Sequence, residues 1–384
     1  MTQFFISAGE TSGDLHAATV VTELSQRFPD AEITGIAGSQ MQQAGCQPLH
    51  DMQELNVMGI TDVLRSLSRI RRIEQSILNW CVEYQPDVAI LVDFSSFHMR
   101  LGRKLRQQGI PVIHFIAPKL WAWGGWRVSK LKKSQDHLAC ILPFETQWFA
   151  QHGIAHARYV GNPSALACAE GWSSKVLKQR LGLDETRPLL ALLPGSRPQE
   201  WRAHVSIMAE TLQQVQQQMP GVACVVPVIP GVDMHALEPL WQLGAQPMER
   251  TQPGYALRVD AAVAVSGTAT LELALWDTPT VLIYRASALM VFLARRLVQV
   301  RCAGLANIIL DDRLVMPELI QEDCRIENIM AHLMPLLRGE AAAAVQRREF
   351  KRLKNVLGQH SPAAGVVDMI ENVLLGAGCH SVRG

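Results

Sequence analysis

Short apolar runs alternate along this chain with longer stretches whose apolar positions recur every three or four residues. That is the pattern of a parallel sheet covered by helices. Runs at Phe4–Ala8, Glu32–Ala37, Val88–Val92, Val112–Ile116, His137–Leu142 and Ala157–Val160 predict the strands of one doubly wound unit. Helices are predicted from about Asp14 to Phe28 and over Met99–Gln108. The span from Ser164 to Pro188 is helical and polar, and the connection between domains is placed there. The pattern then restarts, with strands at Leu189–Leu193, Ala223–Val228, Ala261–Val265 and Thr280–Tyr284 and helices over Ala203–Gln218 and up to Trp276. After Leu336 the chain reads helical again and carries the basic run Arg347, Arg348, Lys351, Arg352 and Lys354. The fold class predicted is α/β: two Rossmann-like doubly wound domains facing a cleft. Residues 1–163 form the first domain, 164–345 the second, and helices over 346–384 return to the first domain or to a partner chain.

Composition narrows the class. With 48% hydrophobic and 18% charged residues the chain can fill sizeable cores. Lysine and arginine number 36 against 35 acidic residues, so bulk charge argues against a nucleic-acid partner. The eight cysteines are scattered without a C-x-x-C and read as reduced core thiols in a cytosolic protein. The opening M-T-Q-F-F-I-S-A-G-E lacks the basic and long apolar regions of a signal peptide, and no apolar run reaches bilayer length.

In open parallel sheets ligands bind beyond the carboxyl ends of the strands, so the loops there carry the chemistry. The first is G-E-T-S-G-D, Gly9 to Asp14, which is not G-x-G-x-x-G and sets a carboxylate where a dinucleotide pyrophosphate would sit. Gly9 and Gly13 permit tight turns and close approach of a ligand. Glu10 and Asp14 are also candidate helix N-caps. Asp93 ends V-A-I-L-V-D; if that strand neighbours the first, Glu10 and Asp93 face one crevice and suit general-base work on a hydroxyl. Capping the next helix or pairing with an arginine is the other reading of Asp93. In the second domain P-G-S-R (Gly195, Ser196, Arg197) and S-G-T-A-T-L-E (Ser266, Gly267, Thr268, Glu272) follow strands. Backbone N–H groups at a helix start and a cationic fork suit a diphosphate, while Glu272 can accept from ribose hydroxyls. Capping by Ser266 is the plain alternative. There is no D-x-D, no H-E-x-x-H and no histidine cluster, so no essential metal is predicted, and no cofactor.

From Ile60 to Trp80, Val63, Leu64, Leu67, Ile70, Ile73 and Ile77 share one helical face, with Arg65, Arg69 and Arg72 roughly opposite. This is either a core-packing helix with a solvated basic face or a helix lying on an anionic membrane surface. Ala286–Val298 is a second such stretch.

The runs A-G-E-T-S-G-D (8–14), I-A-G-S-Q-M-Q-Q-A-G-C (36–46) and L-N-V-M-G-I-T-D-V-L (55–64) are followed by P-K-L-W-A-W (118–123), L-P-F-E (142–145), L-L-P-G-S-R (192–197), S-G-T-A-T-L-E (266–272) and A-N-I-I-L (306–310). In that order, over nearly the whole chain, they resemble the lipid-A-disaccharide synthase family. The resemblance implies an inverting, metal-independent GT-B glycosyltransferase. It would join UDP-2,3-diacylglucosamine to 2,3-diacylglucosamine 1-phosphate, form a β-1,6 disaccharide and release UDP. Its lipid substrates imply a cytoplasmic enzyme held peripherally on the inner face of the inner membrane, and the family implies dimerisation. By resemblance Asp93 is the first choice for the base and Glu10 the second. Gly195, Ser196, Arg197, Ser266, Gly267, Thr268, Glu272 and Asn307 would serve the UDP-sugar. Gly13, Trp121, Trp123 and Arg127 would serve the acceptor, with Trp121 and Trp123 equally readable as packing. Val63, Leu64, Leu67, Ile70, Arg69 and Arg72 would touch the membrane.

Departures from the family pattern gather on the acceptor side. After Asp93 the chain reads F-S-S-F-H where A-P-D-F-N is common, so Ser96 replaces an acid and His98 an asparagine. G-N-P-S-A-L replaces G-H-P-x-x-D, Lys119 stands where serine is frequent, and Gly124 where a basic residue is. Two rivals remain at this point. One is another GT-B enzyme, such as the peptidoglycan N-acetylglucosaminyltransferase or a UDP-sugar 2-epimerase, which the G-E-T-S-G-D loop counts against. The other is a weakened paralogue that binds without turnover, supported by Ser96 and Leu166.

Overall fold

The computed structural model describes residues 1–55, 63–229, 231–252, 254–287, 296–297 and 299–380. The chain forms two units, Met1–Pro163 with Gln359–Gly384, and Ser164–Gly358.

The first unit is built on seven parallel strands: β1 (Gln3–Ala8), β2 (Glu32–Ala37), β3 (Gln47–Asp51), β4 (Val88–Val92), β5 (Val112–Phe115), β6 (His137–Cys140) and β7 (Ala157–Tyr159). Their order is β3-β2-β1-β4-β5-β6-β7. Every residue of β4 is buried, as expected of a central strand with helices on both faces. The edge strand β3 has no such run; its residues are exposed or half-buried, and sequence pattern did not predict it. The first helix, α1 (Thr11–Arg27), starts a turn earlier than expected. Helix α2 (Val63–Tyr84) lays Ile73, Ile77, Leu78 and Cys81 into a core with Phe5, Ile36 and Leu91. Its buried Glu74 holds Arg100 at 2.8 Å and Lys104 at 3.1 Å, both on α3 (Ser95–Gln107).

The second unit carries six parallel strands, β8 (Leu189–Leu193), β9 (Ala223–Val228), β10 (Gln246–Glu249), β11 (Ala261–Val265), β12 (Thr280–Tyr284) and β13 (Glu318–Ile320), in the order β10-β9-β8-β11-β12-β13. Neither edge strand, β10 or β13, is signalled by an apolar run in the sequence. Helix α4 (Pro198–Gln218) covers the sheet, α5 (Thr268–Leu275) follows β11, and α6 (Ala341–Leu357) packs Phe350 and Leu353 inward. Gln346 of α6 exchanges hydrogen bonds with the backbone of Thr280, which keeps this helix with the second unit.

At Gln359 the chain re-enters the first unit. Helix α7 (Pro362–His380) packs Val366, Val367 and Ile370 against Val20, Val21 and Leu24 of α1. Arg27 Nη1 lies 2.7 Å from Asp368 across the same seam. Among the described residues no helix is long and apolar enough to cross a membrane.

Candidate functional site

Strand order in the first sheet reverses between β1 and β4, where departing loops diverge and leave a crevice. Ala8 and Val92 are register partners, so the next residues along bring Glu10 and Asp93 to neighbouring strand ends. Asp93 and Phe94 both adopt left-handed backbone, with φ 51 and 43, at a cost of about 1–3 kcal/mol each. Burial, and then the like charge of Glu10, raises the Asp93 carboxyl above its ordinary range; Lys119, on the loop after β5, opposes the rise. A half-buried carboxylate whose proton affinity is raised suits general-base chemistry.

Glu10 stands at the N-cap of α1, yet its side chain makes no capping bond, and it is exposed. Asp14 does not cap its own helix either, contrary to expectation. It lies inside the first turn, and its buried carboxylate accepts from the N–H groups of Gly38 at 2.9 Å, Gln40 at 3.0 Å and Met41 at 3.2 Å. It therefore caps the short helix Ser39–Gln43. Gly13 is buried in α1 against Ala8 and the Val92 carbonyl, so it is not an open loop glycine.

The two tryptophans of P-K-L-W-A-W separate. Trp121 is 4% exposed, and its Nε1–H donates to Glu145 Oε1 at 2.9 Å. Glu145 also accepts from the Leu142 N–H at 3.0 Å, while burial raises its carboxyl to about 7. Trp121 is thus a packing residue. Trp123 is 50% exposed, with the Arg127 guanidinium 5.8 Å from its ring. Arg127 reaches the Ser96 hydroxyl at 3.5 Å, placing this cation on the Asp93 side of the sheet.

In the second unit, strand order reverses between β8 and β11. A cavity of about 280 Å³ opens there, and both predicted loops line it: Gly195, Ser196 and Arg197 on one side, Ser266, Gly267 and Thr268 on the other. Glu200, one turn into α4, shapes the first loop by accepting from the N–H of Ser196 at 2.7 Å and of Arg197 at 3.2 Å. Gly195 has φ 103, and a β-carbon there would stand 2.6 Å from that of Glu200, so this position requires glycine. The Arg197 side chain is 76% exposed. Ser266 donates its hydroxyl to the Ala303 carbonyl at 2.8 Å and does not cap α5; the N-cap is Gly267, which brings no side chain. The helix start therefore has no side-chain cap facing the cavity.

Glu272 does not line the cavity. Its carboxylate holds the Arg250 guanidinium at 2.6 Å, and it is Arg250 that does. Sequence reasoning missed Arg250, which follows the edge strand β10. Asn307 is also elsewhere: fully buried, it donates to the Met316 carbonyl at 2.9 Å and to Glu318 at 2.7 Å, and accepts from the Met316 N–H at 2.9 Å. It staples the segment before β13. A second hollow of about 710 Å³, lined by Tyr284 and Arg285, shares Arg197 and Glu200 with the first.

Of the residues expected at a membrane, Ile70 is half-buried against the core and Arg72 exposed, while Ile73 and Ile77 are committed to packing. Arg69 is half-buried. The side chains of Val63, Leu64 and Leu67, residues 60–62, and most of the stretch 286–298 lie outside the described residues.

A family model described as lipid-A-disaccharide synthetase matches residues 4–364. The lipid-A-disaccharide synthase of Myxococcus xanthus is 38% identical over 85% of this chain and 86% of its own length. That of Haemophilus ducreyi is 32% identical over 95% of this chain and 96% of its own. Among solved structures, the UDP-GlcNAc 2-epimerase of Neisseria meningitidis superposes with a TM-score of 0.63 at 12% identity, covering 98% of this chain and all (100%) of that one. MurG of Acinetobacter baumannii gives 0.54 at 13% identity, over 97% of this chain and 100% of its own. At such identities these two speak for the shared two-sheet GT-B-like fold alone.

Proposed function

This chain belongs to the lipid-A-disaccharide synthase family, and on that premise we propose that it joins UDP-2,3-diacylglucosamine to 2,3-diacylglucosamine 1-phosphate in lipid A biosynthesis, releasing UDP. The observation that carries the reading is the cavity at the second sheet's switch point, where two anion-compatible loops meet Arg197 and Arg250. The uncapped start of α5 and the two cations receive the diphosphate and stabilise its charge as it leaves. Gly195, Ser196, Ser266, Gly267 and Thr268 shape the cradle, and Glu272 acts through Arg250. Asp93 takes the acceptor hydroxyl proton, a contribution of ~10²–10⁴-fold. Glu10 keeps the proton affinity of Asp93 high. Arg127 and exposed Trp123 lie on the acceptor side.

The lipid substrates place the enzyme at the cytoplasmic face of the inner membrane. Contact there falls to the first turns of α2, through Val63, Leu64 and Leu67 with Ile70, Arg69 and Arg72, because the following apolar positions are committed to the core. A homodimer is part of the same reading.

UDP release by the purified protein, given both diacylated substrates in detergent micelles, tests the reaction. Turnover that Asp93→Ala abolishes in a folded protein supports both enzyme and base. UDP binding without turnover would sink the synthase reading. Sedimentation with anionic vesicles, lost on Leu64→Glu and Leu67→Glu, tests the membrane contact.

A further inference from the structure

His98 is completely buried in the first turn of α3, at the end of β4. Its Nδ1 lies 2.8 Å from the carbonyl oxygen of Asp93, and its Nε2 lies 2.9 Å from the hydroxyl of Ser7. A carbonyl can only accept, so Nδ1 carries the proton and Nε2 is the bare nitrogen. The Ser7 hydroxyl must then donate to it. Burial lowers the ring to about 4, so this neutral tautomer is the species at neutral pH.

The two anchors belong to different strands. Ser7 sits fully buried on β1, three residues before Glu10, and Asp93 follows β4. The imidazole therefore ties the strand that presents one carboxylate to the turn that presents the other. That turn needs holding, because Asp93 and Phe94 are both left-handed, with φ 51 and 43. The Asp93 N–H is fixed separately by the Phe115 carbonyl at 2.9 Å. Rings confine the imidazole itself: Phe97 at 5.6 Å, Phe94 at 5.9 Å and His114 at 6.2 Å between centroids.

We propose that His98 is a positioning residue for the reaction: it holds the main chain of Asp93 so that the carboxylate meets the acceptor hydroxyl at the right place. It touches no substrate and moves no proton. The proposal rests on the reading of Asp93 as the base. Misplacing a reacting group by ~1 Å costs on the order of 10²-fold, which sets the scale of the effect.

Steady-state UDP release by His98→Leu, His98→Asn, Ser7→Ala, Asp93→Ala and the double variant H98L/D93A is the test. H98L is expected to lower kcat about 10–100-fold while KM for both substrates stays within about 3-fold. H98N, whose amide can donate to the same carbonyl, is expected to recover most of the loss, and S7A to fall between. Added to D93A, H98L is expected to change the residual rate by no more than about 2-fold, since coupled sites are not additive. Wild-type kcat in H98L, H98N no better than H98L, or losses that multiply in the double variant would each overturn the proposal. Full activity of D93A alone would instead remove the base reading on which it stands. Should H98L fail to fold by circular dichroism, S7A carries the test, and an unchanged kcat there overturns the proposal.

Discussion

The ring of Phe94 lies against the α-carbon of Gly9, so close that a β-carbon on Gly9 would stand 2.3 Å from the ring's Cγ. Glycine is needed at 9 for this neighbour rather than for its own backbone freedom. The contact joins the loop that carries Glu10 to the turn that carries Asp93. Gly9→Ala must push Phe94 aside, at an overpacking cost of ~1–3 kcal/mol. We expect a lower unfolding midpoint in urea and at least a 10-fold fall in kcat for UDP release, since Asp93 moves with Phe94. A variant with both quantities at wild-type values would show that the turn absorbs the methyl group.

The raised carboxyl of Asp93 predicts the pH behaviour. Its pKa in the folded chain lies above that in the unfolded chain, first through burial and then through Glu10. The folded state thus binds the proton more tightly, and ionised Asp93 costs stability at neutral pH. That cost disappears as pH falls through the folded pKa. Asp93→Asn should therefore raise Tm at pH 7 while removing activity, the gain shrinking as pH falls. Glu10→Gln removes the like charge, so the acid limb of the kcat profile should move to lower pH. A limb that stays in place would separate Glu10 from the base.

Arg250 lines the cavity proposed for UDP and is held by Glu272. Charge-assisted hydrogen bonds are worth ~1.5–3 kcal/mol, so Arg250→Ala should weaken UDP binding about 10–100-fold by titration calorimetry. Glu272→Gln keeps the shape but loosens the anchor, and a smaller loss is expected. Equal, full-sized losses would place Glu272 on the ligand directly.

Asn307 and Asp14 should behave as structural residues. Asn307→Ala leaves the Met316 N–H and carbonyl without their partner and removes one of three donors to Glu318, and Asp14→Ala strips three N–H groups of their acceptor. Each should cost about 2–3 kcal/mol in denaturant unfolding. UDP affinity should stay within about 2-fold in Asn307→Ala, as expected for positions that do not couple; a large loss would return Asn307 to the nucleotide site.

The central strands were legible because β4, β8 and β11 are buried on both faces and so read as unbroken apolar runs, and β1 as one interrupted only by Ser7. The edges were not. Gln47–Asp51 and Gln246–Glu249 are largely solvent-facing, and Glu318–Ile320 is three residues long, so none shows an apolar run. The site followed the same rule. Gly195–Arg197 and Ser266–Thr268 stood out because each follows a strong strand, whereas Arg250 follows an edge strand and carried no signal. Asp14 looked like a cap because of its place in the chain; its actual partners lie at Gly38 to Met41, and only the fold brings them together.

The route of the chain has a consequence for how the protein is made. Residues Ala363, Val366, Val367, Met369 and Ile370 belong to the same core as β1 and α1, yet they are translated after the whole of the second unit. Domains generally fold as units in order of synthesis. Here the contiguous second unit is the first to be complete, while α1, packed on its sheet, still lacks the α7 residues that finish its core. While residues Ser164 to Gly358 are being made, the nascent chain thus carries a first unit that still lacks α7, the interval in which a chaperone has most to shield.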